Sequence, residues 1–295
     1  MRSNCSARST HSPRGVQALR VSVVGVVLVL LTGALAGCSQ PTKYVALGDS
    51  YVAGPLILPQ VGPPYGCLKS GRDYPSVAQQ QLHKNVFVDV SCSGATTDDM
   101  FAPQNVNPGP ANPPQLTAVD SSATLVSLGI GGNDIGFSSI VKTCGSATPW
   151  NPCRDTFVQN GNDELSNRIA ATKPKVVRVL QAITQRAPQA KVLVVGYPTI
   201  LPATGNGCYP LEPITPTDVP YLRAKVQELN AMLASAASEN GATYVDTATS
   251  SVGHDICQLP GTRWVEGLIP TTDAAPVHPN ATGMAHTAGL VAAAG

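Results

Sequence analysis

Short apolar runs that are separated by helical patterns limit how this chain of 295 residues can fold more than any other feature. The runs are rich in Val, Ile and Leu and do not alternate strictly with polar residues, as is typical of strands that are buried on both faces. Strands that alternate with helices predict a parallel sheet with helices on both sides. We expect strands over residues 44–47, 86–90, 124–128, 191–195 and 243–245.

Three longer segments are expected to form helices. The segment 162–186 places apolar residues largely three and four positions apart, although Lys173-Pro174 is expected to break or kink it. The segment 220–240 precedes Gly241, a suitable C-cap, and the segment 281–294 is rich in small residues. The pattern therefore predicts a single α/β domain.

The first 37 residues have the order of a secretory signal, with four arginines and no acidic residue, an apolar run over 21–35, and small residues at the end. Cys38 follows Leu-Ala-Gly, which resembles the lipobox of bacterial lipoproteins and implies that its thiol carries a lipid. We expect a signal peptide over 1–37, a lipidated cysteine and tether over 38–43, and the domain over 44–295. The domain is then held on the extracytoplasmic face of the cell membrane, or is secreted if Cys38 is not lipidated.

Charge and cysteine content narrow the possible partners. After the signal, the chain has 15 basic and 18 acidic residues, for a formal charge of −3. No run of basic residues suggests that it binds nucleic acid. Neither a Cys-x-x-Cys pair nor a zinc-like cluster is present, so we expect no metal. Six cysteines remain in the domain, and an even number in an exported chain favours disulfides, although 15 pairings are possible.

Small or polar residues follow three of the expected strands. Ser50 lies in Gly48-Asp49-Ser50 after the first strand, Gly94 follows the second, and Asn133 follows the third. Because ligands of open α/β sheets bind outside the carboxyl ends of the strands, we expect these residues at one functional edge.

Four blocks in this order resemble the SGNH, or GDSL, hydrolases, and together they span nearly the whole domain. They are Gly-Asp-Ser at 48–50, SCSGATTDDM at 91–100, LGIGGNDIGF at 128–137 and VHPNATGMAH at 277–286. The resemblance implies a three-layer α/β/α, flavodoxin-like fold. It also implies a Ser50 nucleophile, a His278 general base, and an oxyanion hole formed by the N–H groups of Ser50 and Gly94 and the amide of Asn133.

The segments GHDICQ at 253–258 and RWVEG at 263–267, with the six cysteines, resemble the secreted actinobacterial GDSL lipases and esterases. Those proteins have three disulfides paired in sequence order. The resemblance therefore implies the pairs Cys67–Cys92, Cys144–Cys153 and Cys208–Cys257.

The residue that orients His278 is where the chain departs from the family pattern. The family usually has an aspartate three residues before the histidine, but Ala275 stands there, and the nearest acid is Asp273. Either Asp273 completes a triad, or a backbone carbonyl such as that of Ala275 accepts the imidazole N–H and leaves a Ser-His dyad. We favour the carbonyl.

These features predict a membrane-anchored serine ester hydrolase that needs no cofactor, is monomeric, and acts on small-molecule or lipid esters. A serine hydroxyl becomes an effective nucleophile when an adjacent base removes its proton, and histidine can do so near neutral pH. An O-acetylesterase acting on cell-envelope carbohydrate is the alternative enzyme. A lipoprotein that binds a ligand without catalysis is the alternative of another class.

Overall fold

The computed structural model describes residues 42–295, so the expected signal peptide and Cys38 lie outside the described residues. Five parallel strands form the central sheet in the order β2-β1-β3-β4-β5. The strands are β1 (Lys43–Gly48), β2 (Val86–Asp89), β3 (Ala123–Gly129), β4 (Lys191–Val195) and β5 (Thr243–Val245). All five expected strands are therefore present, within two residues at each end.

The strand order is that of the flavodoxin-like folds, in which the connections diverge between the first and third strands. Here β1 pairs with β2 on one side and with β3 on the other, so Gly48 lies opposite Gly129 in the register. The chain segments that leave β1, β2 and β3 therefore start side by side at the carboxyl edge of the sheet.

Helices cover both faces of the sheet, as the sequence predicts. They are α1 (Ser50–Ala53), α2 (Tyr74–Leu82), α3 (Phe137–Gly145), α4 (Arg154–Phe157), α5 (Glu164–Arg186), α6 (Asp218–Glu239) and α7 (Ala281–Ala294). Val45 and Leu47 of β1 share a buried cluster with α5 and α6, whereas Tyr44 and Ala46 pack in a second cluster with α2 and α7. Because neighbouring side chains of β1 enter opposite clusters, the domain has three α/β/α layers.

Helix α5 runs through Pro174 without ending, so the expectation of a break there is wrong. A proline inside a helix removes one backbone hydrogen bond and costs about 3 kcal/mol. Leu165 and Ile169 before the proline and Val176 and Val179 after it are all buried in the same core cluster. Since each such side chain contributes about 1.5–3 kcal/mol, burial outweighs the lost bond.

Three disulfides link the loops around the sheet, and their pairing is the one expected. Cys67–Cys92 joins the loop after α1 to the end of β2, Cys144–Cys153 closes the loop between α3 and α4, and Cys208–Cys257 joins two loops 49 residues apart. Within residues 42–295, no helix has the length and hydropathy of a membrane span.

Candidate active site

The turn that follows β1 presents Ser50 at the carboxyl edge of the sheet. Asp49 caps helix α1, because its carboxylate accepts the N–H of Tyr51 at 2.9 Å, and Ser50 is the first residue of the helix. A side chain at Gly48 would clash with Val52 and with the carbonyl of Gly129. Glycine therefore allows helix and strand to approach closely enough for the chain to turn at Ser50.

His278 lies beside Ser50. Its Nε2 is 2.7 Å from the Ser50 Oγ, and its Nδ1 is 2.8 Å from the backbone oxygen of Pro276. A carbonyl oxygen only accepts, so Nδ1 must carry the proton and Nε2 must be free to accept. The Ser50 hydroxyl therefore donates to Nε2, which is the arrangement that a general base requires.

The carbonyl that orients His278 belongs to Pro276, and neither Asp273 nor the carbonyl of Ala275 takes this part. Asp273 is exposed and makes no side-chain hydrogen bond within the described residues, and the Ala275 oxygen accepts the backbone N–H of His278 at 3.2 Å instead. In the structure the acceptor is thus a backbone carbonyl, one residue after the expected Ala275.

The backbone of Val277 explains the shift to Pro276. Its φ of +60° is in the left-handed region, which costs free energy for a β-branched residue and is kept only where surrounding contacts hold it. Its N–H donates to the Gly267 oxygen at 3.2 Å, and its own oxygen accepts the Tyr51 hydroxyl at 2.6 Å. These bonds fix the turn between Pro276 and His278.

Aromatic rings surround the imidazole of His278. The Tyr51 ring lies 4.9 Å from it, and the Phe137 ring meets it edge-on at 5.6 Å. Burial lowers the pKa of His278 below its usual value, although the hydrogen bond to Pro276 acts in the opposite direction. The imidazole is therefore neutral, and able to accept a proton, at neutral pH.

The two other candidate oxyanion residues lie on neighbouring loops. Gly94 has a φ of +82°, a conformation that favours glycine, and within the described residues its backbone N–H, like that of Ser50, has no acceptor. The Asn133 side-chain amide donates one hydrogen bond to the Ala95 oxygen at 2.9 Å, which leaves its second N–H available.

Asp134 joins the two loops that carry Gly94 and Asn133. Its carboxylate accepts the N–H of Thr97 at 3.0 Å and the Thr97 hydroxyl at 2.5 Å. Burial raises the pKa of Asp134 above its ordinary value, although the bonds from Thr97 lower it. Asp134 therefore links the loop that carries Asn133 to the loop that carries Gly94.

A buried chain of hydrogen bonds connects the Ser50 turn to the loop that precedes Asn133. The Tyr197 hydroxyl donates to Asp49 at 2.6 Å and accepts the N–H of Gly132 at 2.7 Å. Burial raises the pKa of Asp49 to about 7, although the hydrogen bonds from Tyr197 and Tyr51 lower it. Tyr197 thereby holds the two strand ends at a fixed spacing.

The RWVEG segment at 263–267 contacts the loop that carries His278. Arg263 pairs with Glu266 at 3.0 Å, and the Glu266 carboxylate accepts the side-chain amide of Asn280 at 2.9 Å. Asn280 in turn caps α7. The backbone N–H of Glu266 also donates to the His278 oxygen at 2.9 Å. Both sides of His278 are thus attached to this segment.

An apolar cavity opens next to His278. Gly132, Phe137, Tyr197 and Val277 form its wall on the side of the site. The remainder of the wall is almost entirely apolar, and comes from Ile135, Ile140, Val141, Cys144, Leu165, Ile200, Leu201, Ile214, Leu222, Lys225, Val226, Leu229 and Leu268. The cavity has the apolar lining of a small-molecule site.

The sequence does not single out three residues that shape the site, namely Tyr51, Tyr197 and Val277. Tyr51 directly follows the Gly-Asp-Ser block and Val277 directly precedes His278, so their places beside the motif residues are a signal that the sequence offers. Tyr197 lies after β4, at the same edge of the sheet as the other strand ends. Its contact with Asp49 joins residues 148 positions apart, for which a single sequence offers no signal.

The three-layer fold, with Ser50 and His278 in contact at the carboxyl edge of its sheet, has the arrangement of an α/β serine hydrolase. The model of the GDSL-like lipase/acylhydrolase family matches residues 46–286, and the chain belongs to this family. It is a carboxylic ester hydrolase of the lipase/esterase type.

Relatives of known sequence and structure are similar over most of their length. Lipase 2 of Streptomyces coelicolor is 41% identical over 282 residues, which cover 92% of this chain and 93% of the relative. The crystal structure of phospholipase A1 from Streptomyces albidoflavus matches with a TM-score of 0.69 and 28% identity, over 83% of this chain and 94% of the other. That of the extracellular lipase from Streptomyces rimosus matches with a TM-score of 0.64 and 29% identity, over 82% and 94%.

Proposed function

We propose that this protein hydrolyses fatty-acyl esters through an acyl-enzyme on Ser50. The observation that carries the proposal is the apolar cavity, which shares Val277 and Phe137 with the surroundings of His278. A hydrocarbon chain gains about 0.8 kcal/mol per buried CH₂, so such a cavity favours long acyl groups over acetyl. The lipases and the phospholipase among its relatives support the same substrate class.

In the first half of the reaction, the Ser50 Oγ attacks the ester carbonyl carbon while its proton passes to Nε2 of His278. Negative charge collects on the carbonyl oxygen, where the N–H groups of Ser50 and Gly94 and the amide of Asn133 stabilise it. Loss of one such donor typically lowers turnover by about 10²- to 10³-fold. The protonated His278 then gives its proton to the leaving alcohol, and the acyl group remains on Ser50.

In the second half, His278 removes a proton from water, and the water oxygen attacks the acyl carbonyl carbon. The same donors hold the second oxyanion. When it collapses, the bond to Ser50 Oγ breaks, His278 returns a proton to that oxygen, and the fatty acid leaves. The Pro276 carbonyl keeps Nδ1–H in place through both halves. It supplies the orienting function that an aspartate performs in a triad.

The place of action follows from the segment before the domain. A signal peptide over 1–37 and a lipid on Cys38 put the enzyme on the outer face of the membrane, and the three disulfides support an oxidising compartment. Labelling of the full chain with radioactive palmitate in a bacterial host tests this. Incorporation that is lost in Cys38→Ser is expected, whereas a chain released without label contradicts the anchor.

Chain-length selectivity tests the substrate class. The domain from Ser39, with its disulfides formed, is assayed on nitrophenyl esters from acetyl to palmitoyl. Because Val141 lines the cavity, Val141→Phe should lower the ratio of palmitoyl to acetyl turnover at least tenfold. Val177→Phe is the matched control, since Val177 is a half-buried helical valine that packs on the same core outside the cavity wall.

If wild type prefers acetyl esters, and Val141→Phe changes acetyl and palmitoyl turnover equally, the cavity does not hold the acyl chain. The O-acetylesterase alternative then takes precedence. If no ester is hydrolysed at all, the proposal of an ester hydrolase acting through Ser50 fails.

A further inference from the structure

Three large apolar side chains point into solvent on segments that also line the apolar cavity. Trp150 is 84% exposed, Leu211 76% and Ile269 82%, and we call these three residues the apolar rim. Single exposed apolar residues are ordinary on protein surfaces, but contiguous apolar patches mark interaction sites.

Contacts between the three segments bring the apolar rim together. Leu268 precedes Ile269, and its backbone N–H donates to the Glu212 carboxylate at 2.9 Å. Glu212 follows Leu211 directly. The Leu268 side chain also lies against Gly145, so that a methyl group at Gly145 would be 3.3 Å from it. The segments that carry the rim therefore converge on Leu268.

The segment of Trp150 is itself restrained. Thr148 and Asn151 exchange backbone hydrogen bonds at 3.3 and 2.9 Å, which puts Trp150 in a tight turn, and the Cys144–Cys153 disulfide closes the loop around it. A side chain of this size on a closed loop loses little conformational freedom when it inserts into another phase.

Each rim segment also contributes to the wall of the cavity. Cys144 belongs to the segment of Trp150, Ile214 to that of Leu211, and Leu268 to that of Ile269. The exposed apolar surface is therefore continuous in the chain with the surface expected to hold the acyl group.

The rim segments lack exposed charge. Residues 145–151 and 267–272 contain no Asp, Glu, Lys or Arg, and residues 209–214 contain only Glu212, which is buried near Arg263. A docking surface for a protein usually has a polar rim with hydrogen-bonding groups. Exposed Trp and aliphatic side chains without charge instead suit the boundary between lipid headgroups and acyl chains.

We propose that the apolar rim inserts into a lipid surface and delivers acyl chains directly from that surface into the cavity. The inference rests on the proposed function, since it takes the cavity as the acyl site. A long-chain ester that crossed open water would first expose its hydrocarbon, at a cost that grows with every CH₂ group. Contact between rim and lipid removes that step.

Vesicle binding tests the proposal. The domain from Ser39 carrying Ser50→Ala, which leaves lipid intact, is mixed with phosphatidylcholine vesicles and sedimented. Binding should be at least about tenfold weaker in Trp150→Ser/Leu211→Ser/Ile269→Ser, and should be retained in Trp150→Phe. Val86→Thr is the control, because Val86 is 42% exposed at the amino edge of β2, away from the site, and threonine keeps its shape.

Tryptophan emission gives a second readout. The chain has two tryptophans, and Trp264 stacks between His254 and His286 with ring centroids 3.6 and 4.3 Å away. A blue shift on addition of vesicles should therefore come from Trp150 and vanish in Trp150→Phe. Because the rim is uncharged, neither added anionic lipid nor salt should change binding more than about twofold.

Binding that the triple variant retains, or that requires anionic lipid, overturns the proposal. So does a rim-dependent dimer that forms without vesicles, because the rim would then join two copies of the chain. Hydrolysis of nitrophenyl esters from acetyl to palmitoyl by the chain with Ser50 intact is measured separately. Its absence counts against the proposed function, whereas vesicle binding alone decides the role of the rim.

Discussion

Replacement of Asp273 by asparagine separates the two ways in which His278 can be oriented. In a triad, loss of the carboxylate leaves the histidine in the wrong tautomer and lowers turnover by about 10⁴-fold. Here Nδ1 is 2.8 Å from the Pro276 oxygen, and the Asp273 side chain is exposed, with no hydrogen bond to the described part of the chain. We therefore expect Asp273→Asn to leave the tautomer, and nearly all of the activity, unchanged.

The expected size of the effect is that of a distant surface charge. Through water, a unit charge about 10 Å away contributes about 0.4 kcal/mol before salt screens it, which is a factor of about two in rate or proton affinity. Steady-state kinetics on a short nitrophenyl ester should accordingly show turnover within about twofold of wild type. Asp155→Asn removes another exposed carboxylate and serves as the matched control.

The pH profile adds an independent check on Asp273. Because burial lowers the pKa of His278, the acid limb of kcat/KM should have its midpoint below about 6.5, and within about 0.3 pH unit of that midpoint in Asp273→Asn. If Asp273→Asn instead slowed turnover by a factor of about 10³ or more, with normal kinetics in Asp155→Asn, the dyad would be refuted. Such a result would mean that the loop closes onto Asp273 during turnover.

Further predictions concern the support of the site and the crosslinks. Tyr197→Phe leaves the Gly132 N–H and the Asp49 Oδ2 without their buried partner, while Asp49 Oδ1 keeps the N–H of Tyr51, so unfolding by denaturant should show a loss of about 2 kcal/mol or more in the free energy of unfolding. Asp49 keeps its proton up to about pH 7 in the native state but only up to about pH 4 in the unfolded state, so its contribution to stability should fall as the pH rises from about 4 to about 7. The difference in unfolding free energy between Asp49→Asn and wild type, measured from pH 4 to 8, should show this decrease. Loop entropy predicts that Cys208→Ser/Cys257→Ser loses about 4 kcal/mol of unfolding free energy, because that disulfide spans 49 residues. Removal of Cys144–Cys153, which spans nine residues, should cost about 2.5 kcal/mol. Chemical unfolding of the two variants should show the larger loss for the first.

The parts of the fold that the sequence predicts are those with strong local signals. The five strands are apolar runs, and the long helices α5, α6 and α7 have recognisable spacing or caps. Helix α2 buries only Tyr74, Pro75 and Ala78, and too few apolar residues recur at helical spacing to reveal it. Pro174 shows the opposite case. Proline disfavours a helix locally, but the burial of apolar side chains before and after it in α5 keeps the helix continuous.

In the candidate site, too, the residues with a local motif can be predicted from the sequence, and a contact that depends on the tertiary structure cannot. Ser50, Gly94, Asn133 and His278 each stand in a short motif at the end of a strand or before a helix, so the sequence alone points to them. The Pro276 carbonyl cannot be read from sequence, because its direction depends on the left-handed turn at Val277, which tertiary hydrogen bonds hold.

Covalent trapping of the nucleophile tests the central claim most directly. A fluorophosphonate reacts with an activated serine, and peptide mass spectrometry locates the adduct, while hydrolysis of nitrophenyl butyrate is followed in the same sample. We predict one adduct per chain on the peptide that contains Ser50, loss of turnover in step with labelling, and neither labelling nor turnover in Ser50→Ala. Turnover that persists in Ser50→Ala, or an adduct on another serine that abolishes activity, would contradict the assignment of Ser50 and His278 as the catalytic pair.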